Sequence, residues 1–366
     1  MIPVRGGISI EEPFRHHRHL AWGQNRASDT LNDVATDQLQ RPLRDLRVSV
    51  TDRCNFRCTY CMPKEVFGRD YEFLPRSEVL SFEEITRVVR VFVDLGVEKV
   101  RLTGGEPLLR KNLEHLVGEL DALDGIQDLT LTTNGSLLVQ KAAGLRAAGL
   151  QRLTVSLDAL DEPTFAAMND VSFPVARVLE GIDAAVGAGF LPIKINAVIR
   201  RGVNEHSIVE LAERFGGPSY IVRFIEYMDV GHSNGWRLDE VVPASEISAR
   251  LSDSVGVSPI APNYPGEVAR RFRTAQGGEV GIIASVTQPF CRGCTRARLT
   301  ADGQLYTCLF GTHGHDLRAA LRGGLDDEQL RKLIGGIWAS RTDRYSEIRS
   351  AETKREAKVE MSAIGG

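Results

Sequence analysis

Between residues 46 and 225 the apolar positions switch repeatedly between two periods. Short runs dense in Val, Ile and Leu, at 46–50, 98–103, 128–133, 152–157, 193–199 and 220–225, read as strands covered on both faces. Residues 82–95, 112–123, 137–148, 174–188 and 206–215 carry apolar positions at helical spacing between them. Ser81-Phe-Glu-Glu84 is a capping box that opens the first helix. The series predicts an α/β fold with six parallel strands. That is fewer than a closed eight-stranded barrel needs, so the expected architecture is a partial (βα)6 barrel whose mouth is closed by the C-terminal region. In such folds the chemistry is expected at the C-terminal ends of the strands.

Outside this series the pattern weakens. Residues 1–44 are polar and without period, and His16, His17 and His19 offer metal ligands, yet the segment reads as a disordered extension. The barrel is expected over 45–228 and a C-terminal region over 229–366. In that region glycines and prolines punctuate the chain, 268–274 and 281–286 read as strands, and 325–337 reads as a helix.

Charge narrows the classes of function. The 366 residues carry 45 Lys and Arg against 48 Asp and Glu, a formal net charge of −3, which argues against a bulk basic surface for nucleic acid. No apolar run approaches the roughly 20 residues that cross a bilayer, and the start does not read as a secretory signal. A cytoplasmic protein is expected.

The six cysteines fall in two triplets, which in a large chain without an export signal points to metal rather than disulfides. Cys54, Cys58 and Cys61 follow the first strand. Three thiolates so close can hold three irons of a cubane cluster and leave the fourth open for a substrate. A zinc site lacking a fourth ligand is the alternative. Cys291, Cys294 and Cys308 form the second triplet, with His313 and His315 near enough to make a Cys3His zinc site the rival. Arg296 and Arg298, one residue apart on a strand-like segment, point to one side and can grip an anion. Arg47, Arg101, Lys194 and Arg223 lie inside other strands, where a cation is costly without an anion. Together these six would line a lumen suited to a polyphosphate. No P-loop motif is present.

The spacing CxxxCxxC with Tyr60 before the last cysteine, and Thr103-Gly104-Gly105-Glu106-Pro107 after the second strand, resemble the radical S-adenosylmethionine (SAM) superfamily. The second triplet's CxxC-x13-C spacing, the run Cys294-Thr-Arg-Ala-Arg-Leu299 and the terminal Gly365-Gly366 are similar to one family within it, the GTP 3′,8-cyclases of molybdenum cofactor biosynthesis. The resemblance runs from about residue 46 to the C-terminus. It implies a radical SAM barrel with two 4Fe-4S clusters, on Cys54, Cys58 and Cys61 and on Cys291, Cys294 and Cys308. It implies SAM contacts at Tyr60, Gly105, Ser156 and Met228. GTP contacts are implied at Arg47, Arg101, Thr132, Lys194, Arg296, Ala297 and Arg298. Arg296, Arg298, Gly365 and Gly366 are implied in catalysis, the two glycines reaching into the site. The implied reaction is hydrogen abstraction from C3′ of GTP by a 5′-deoxyadenosyl radical, then attack on guanine C8. A homodimer, a flavodoxin- or ferredoxin-type electron donor and delivery of product to cyclic pyranopterin monophosphate synthase are likewise implied, with no nucleic acid or membrane partner. A radical SAM maturase acting on a peptide and a zinc-stabilised nucleic-acid-binding module are the competing readings.

Overall fold

Strand residues alternate between an apolar face turned to helices and a polar face turned inward, and this alternation organises the molecule. The computed structural model describes residues 34–264, 266–349 and 358–365. β1 (Asp45–Ser49) is followed by α1 (Phe82–Asp94), β2 (Lys99–Thr103), α2 (Leu113–Asp121), β3 (Asp128–Thr133), α3 (Leu138–Ala147), β4 (Arg152–Ser156), α4 (Glu162–Asn169), α5 (Val175–Gly187), β5 (Ile193–Ile199), α6 (Ser207–Arg214) and β6 (Tyr220–Glu226). Next come α7 (Ala244–Val255), β7 (Val257–Ile260), β8 (Arg270–Thr274), β9 (Glu279–Ile283), β10 (Arg296–Leu299), β11 (Gln304–Tyr306) and β12 (His315–Asp316). α8 (Leu317–Arg322), α9 (Asp327–Ala339), α10 (Tyr345–Ile348) and α11 (Met361–Ile364) complete the described chain.

Strand β5 shows the logic. Ile193, Ile195, Ala197 and Ile199 are fully buried in the main core, which they share with Ile182 of α5 and Leu211 of α6. Lys194, Asn196 and Val198 point the other way and are only partly buried. The capping box at α1 forms as expected: Ser81 Oγ accepts from the Glu84 amide and Glu84 accepts from the Ser81 amide.

The six predicted strands pair in sequence order and in parallel. The sheet does not end with them. β10 joins parallel to β1 and β9 joins parallel to β6, so the parallel run has eight strands, two of them from the C-terminal part. Antiparallel β11–β12 and β8–β7 extend the two edges. The C-terminal region is therefore woven into the barrel wall.

Three expectations differ from the structure. The extension predicted through residue 44 is packed from residue 34 onward where it is described: Leu43 is fully buried, and Asp37 and Arg41 are buried beside Arg341. Its low apolar content hid this, because ion pairs rather than side-chain greasiness hold it. The histidine-containing stretch lies outside the described residues. Helices α4 and α7 were not foreseen, although Asp161 caps the former with Pro163 in its first turn and Pro243 precedes the latter. The predicted strands at 268–274 and 281–286 form as β8 and β9 with shifted ends.

Candidate active site

The first cysteine triplet occupies the loop that leaves β1. Its backbone is tied to the end of α4: the Arg57 amide donates to Asn169 O (2.9 Å) and the Thr59 amide to Met168 O (3.0 Å). Phe56 packs against Phe165 and Phe173, with ring centroids 6.1 and 5.3 Å away. Arg57 donates to the carbonyls of Cys54, Phe56 and Phe67. The overlooked helix is thus what holds this loop. The glycine-rich segment after β2 passes directly behind it. A Cβ on Gly105 would collide with the Arg53 carbonyl, so only glycine permits the approach. Buried Glu106 fastens the same turn to β3, accepting from Thr133 Oγ1 (2.7 Å) and the Asn134 amide (2.7 Å). Tyr60 is oriented by Asp158, whose carboxylate accepts from the Tyr60 hydroxyl (2.9 Å) and the Val198 amide (2.8 Å). Burial raises Asp158 to about 6, against those two hydrogen bonds.

The second triplet sits at the other end of β1. Arg296, two residues after Cys294, is in register with Asp45, the first residue of β1, while Cys54 follows the last. The strand between spans about 13 Å at the usual rise per residue. This corrects the expectation that all the chemistry lies at the C-terminal ends of the strands. Both triplets nevertheless line one cavity. Neither holds a disulfide. The lumen runs through the barrel, with thiols at each end.

Between the ends stands a row of cations. Register places Arg298, Arg47 and Arg101 side by side on β10, β1 and β2. Arg101 donates to Thr132 Oγ1 (2.9 Å) and Thr154 Oγ1 (3.2 Å). Arg223 donates to Asn196 Oδ1 (2.8 Å). Nε of Arg47 and Nε of Arg298 are buried without a partner. Burial, then the neighbouring Arg298, lowers the Arg47 pKa, and burial with Arg296 lowers Arg298 to about 10. Arginine keeps its proton in such settings, so the shifts mark uncompensated positive charge.

Of the residues implicated by the sequence, Arg47, Arg101 and Thr132 line the cavity, as do Arg296, Arg298 and the six cysteines. Tyr60, Gly105, Ser156 and Met228 line it too. Lys194 lies in an adjoining recess with Lys99, Arg152 and Tyr264, which shares Arg223 with the main cavity. Ala297 turns its side chain outward into the core and does not line the cavity. Gly365 has φ +68°, and a Cβ there would overlap the hydroxyl of Thr103, a cavity residue at the end of β2. The tail is anchored by Lys358, which donates to Asp229 Oδ2 (2.8 Å), and by Glu360, which accepts from Ser233 Oγ (2.9 Å). Gly366 lies outside the described residues. Sequence reading missed Lys99, Arg152, Asn196 and Asp158. A Lys opening β2 and an Arg opening β4 carry no signal until the sheet closes around them.

The thiols suit iron clusters. Burial pushes Cys54 up to about 12 and Cys308 to about 11, and raises Cys58 and Cys61, so only a cation among them favours the thiolates. Burial alone would raise Cys294 as well, but Arg296 and Arg341 pull it down to about 6. A single tetrahedral zinc with bonds near 2.3 Å would bring sulfurs within about 3.8 Å of one another. Among the described residues the one trio with ligand atoms all within 4.8 Å is Asp161, His206 and Glu210, near the surface, and neither cysteine triplet is so tight. Such a spacing is wider than a single tetrahedral zinc would hold.

A parallel barrel carrying a three-cysteine loop after its first strand defines the class, and residues 48–215 match the Radical SAM superfamily model. Residues 220–347 match the model described as Molybdenum Cofactor Synthesis C. The chain is 55% identical to the GTP 3′,8-cyclase of Acidothermus cellulolyticus, covering 90% of this chain and 98% of that one. It is 47% identical to the Staphylococcus epidermidis GTP 3′,8-cyclase, covering 92% and 100%. A solved methylornithine synthase aligns over 58% of this chain and 62% of its own at 16% identity, with a TM-score of 0.43. The chain belongs to the GTP 3′,8-cyclase family of radical SAM enzymes.

Two consequences are measurable. Burial, then Arg223, holds the Lys194 ammonium well below its usual pKa. The folded chain therefore binds fewer protons at this site than the unfolded one. The penalty is full below the lowered native value and fades as pH rises toward the unfolded value near 10.4. Lys194→Met is expected to raise Tm by about 2 °C or more, with a larger gain at pH 6 than at pH 9. It should also weaken binding of a nucleoside triphosphate about tenfold, measured by calorimetry. Gly365→Ala is expected to lower product formation about tenfold or more with the circular dichroism spectrum unchanged, because the tail must withdraw from Thr103.

Proposed function

We propose that the chain converts GTP to (8S)-3′,8-cyclo-7,8-dihydroguanosine 5′-triphosphate, the first step of molybdenum cofactor biosynthesis, as a lyase. The observation that carries this reading is the row Arg298, Arg47 and Arg101, with Nε of Arg298 and of Arg47 buried and unpartnered, lying between two thiol triplets in one lumen. A polyanionic substrate neutralises that row.

In this reading Cys54, Cys58 and Cys61 of the barrel (45–228) hold one 4Fe-4S cluster, and Cys291, Cys294 and Cys308 of the C-terminal region (229–366) hold the other. When bound, the clusters and SAM supply one-electron reduction and hydrogen-atom abstraction. The protein's own work is orientation and exclusion of water. Tyr60, locked by Asp158, and Gly105, Ser156 and Met228 contact SAM. Arg47, Arg101, Thr132, Arg296 and Arg298 bind GTP, and Lys194 extends the clamp into the recess with Lys99, Arg152 and Arg223. The Ala297 backbone, between Arg296 and Arg298, is assigned to GTP with them. Gly365 brings the tail to Thr103 at the end of β2, and a catalytic role is assigned to it and to Gly366. Charge held away from the ribose lets binding energy fix the position of C3′ without crowding it. The reading includes a homodimer, a flavodoxin- or ferredoxin-type electron donor, transfer of the product to cyclic pyranopterin monophosphate synthase, and a cytoplasmic setting.

The test is product analysis after anaerobic incubation of reconstituted protein with GTP, SAM and dithionite. The cyclised triphosphate and 5′-deoxyadenosine are expected together, and a peptide-modifying enzyme would give no nucleotide product. Cys58→Ser should abolish SAM cleavage. Cys294→Ser should retain measurable SAM cleavage while forming no cyclised nucleotide. Equal loss of both activities in the Cys294 variant, with the first cluster intact, would remove the assigned division of roles.

A further inference from the structure

The segment just before β1 reaches the second thiol triplet through a buried ion network. Asp37, Arg41 and Arg341 are 3%, 2% and 4% exposed, which is rare for charged side chains unless their groups are paired. Asp37 Oδ2 accepts from Arg41 Nε (2.5 Å) and from Arg341 Nη1 (3.2 Å). Each arginine then grips a ligand position by its backbone. Arg41 Nη1 donates to Cys291 O (2.9 Å) and to Asp343 O (2.7 Å). Arg341 Nη1 donates to Cys294 O (2.8 Å). The Asp343 carboxylate accepts from Arg341 Nε (3.4 Å) and from Thr307 Oγ1 (2.6 Å), the residue before Cys308. All three cysteine positions are therefore tied, directly or through the adjacent residue, to one network. Trp338 braces it, donating from Nε1 to Arg41 O (3.1 Å) and lying 4.6 Å from the Arg341 guanidinium. Arg41 Nη2 is buried with no partner, and Arg41 lines the cavity shared with the triplet.

We propose that Asp37, Arg41 and Arg341 are positioning residues for the second iron–sulfur cluster: they fix its loop, and the free Arg41 Nη2 donates to a sulfur of the bound cluster. The inference rests on the reading that Cys291, Cys294 and Cys308 hold such a cluster. The physical basis is twofold. The two guanidiniums are matched by the carboxylates of Asp37 and Asp343, so the network adds no net charge and acts by holding the carbonyls of Cys291 and Cys294 in place. A donor aimed at a cluster sulfur shifts its potential and slows its loss.

The experiment uses the full chain with Cys54, Cys58 and Cys61 replaced by Ala, so that only the second cluster assembles. Arg41→Gln, Arg41→Lys and Asp37→Asn are each added. Iron and sulfide content, the EPR spectrum after dithionite reduction, and the rate of iron release to a chelator are measured. Arg41→Gln is expected to shift the EPR spectrum and speed iron release about tenfold or more, with Arg41→Lys between it and the parent. Placed in the chain with all six cysteines, Arg41→Gln should leave the first cluster's signal unchanged. Release rates and spectra equal to the parent's overturn the proposal, as does equal loss of both clusters. If Arg41→Gln fails to fold by circular dichroism, Asp37→Asn is read by the same measures. Failure of both to fold also overturns it, because the network would then hold the whole domain. If the parent lacking the first triplet binds no cluster at all, it is the assignment of the second cluster that fails instead.

Discussion

Arg298, Arg47 and Arg101 stand at one level on three neighbouring strands, and like charges directly across a sheet destabilise it. Burial adds to the penalty, and two of the Nε groups have no acceptor. Such a row persists only if the surrounding structure is strong enough to hold it. Here the outward faces of the same strands supply that strength. Leu46, Val48, Val100 and Leu102 are fully buried against the helical layer, one residue away from the cations in each strand. The two-residue period of a strand allows one segment to be a core on one side and an anion trap on the other. An incoming triphosphate removes the conflict, and that relief is available only to a ligand of the right charge.

The row also explains the arrangement of the thiols. One triplet follows β1, while Cys291 and Cys294 precede β10 and Cys308 follows β11, so the pair β10–β1 fixes their separation through a parallel register. Each loop is held by elements remote in sequence. The first leans on α4 and the aromatic packing of Phe56, and the second on the Asp37 network. The first support combines apolar packing, backbone hydrogen bonds and Arg57, and burial raises its thiols. The second is a network of arginines, where Cys294 is pulled down to about 6 while burial raises Cys308 to about 11.

Much of the barrel was legible before folding was considered. The six strands were read within a residue or two, because Val- and Ile-rich runs bounded by helical periodicity have few other solutions. The capping box at Ser81 was readable because both partners lie within one turn. The C-terminal part was harder. β10, β11 and β12 are four residues or shorter, and a short strand takes its identity from the edge it joins. Lys99 and Arg152, at the starts of strands, carry no signal in the sequence, and the sheet brings them into one recess with Lys194.

By itself the sequence determined the chemistry that is local. It set two sets of three thiols, their spacing, the glycine that lets Gly105 pass behind Arg53, and the alternation that puts Arg296 and Arg298 on one side. Local spacing is enough there because the chain's own geometry carries those residues to a common place. The tertiary structure alone decided that the triplets lie at opposite ends of one lumen, that Lys194 belongs to an adjoining recess, and that Asp37 and Arg41 reach the second loop some 250 residues away. Those facts depend on which strand edges pair, and edge pairing is a competition among distant segments that no local pattern records.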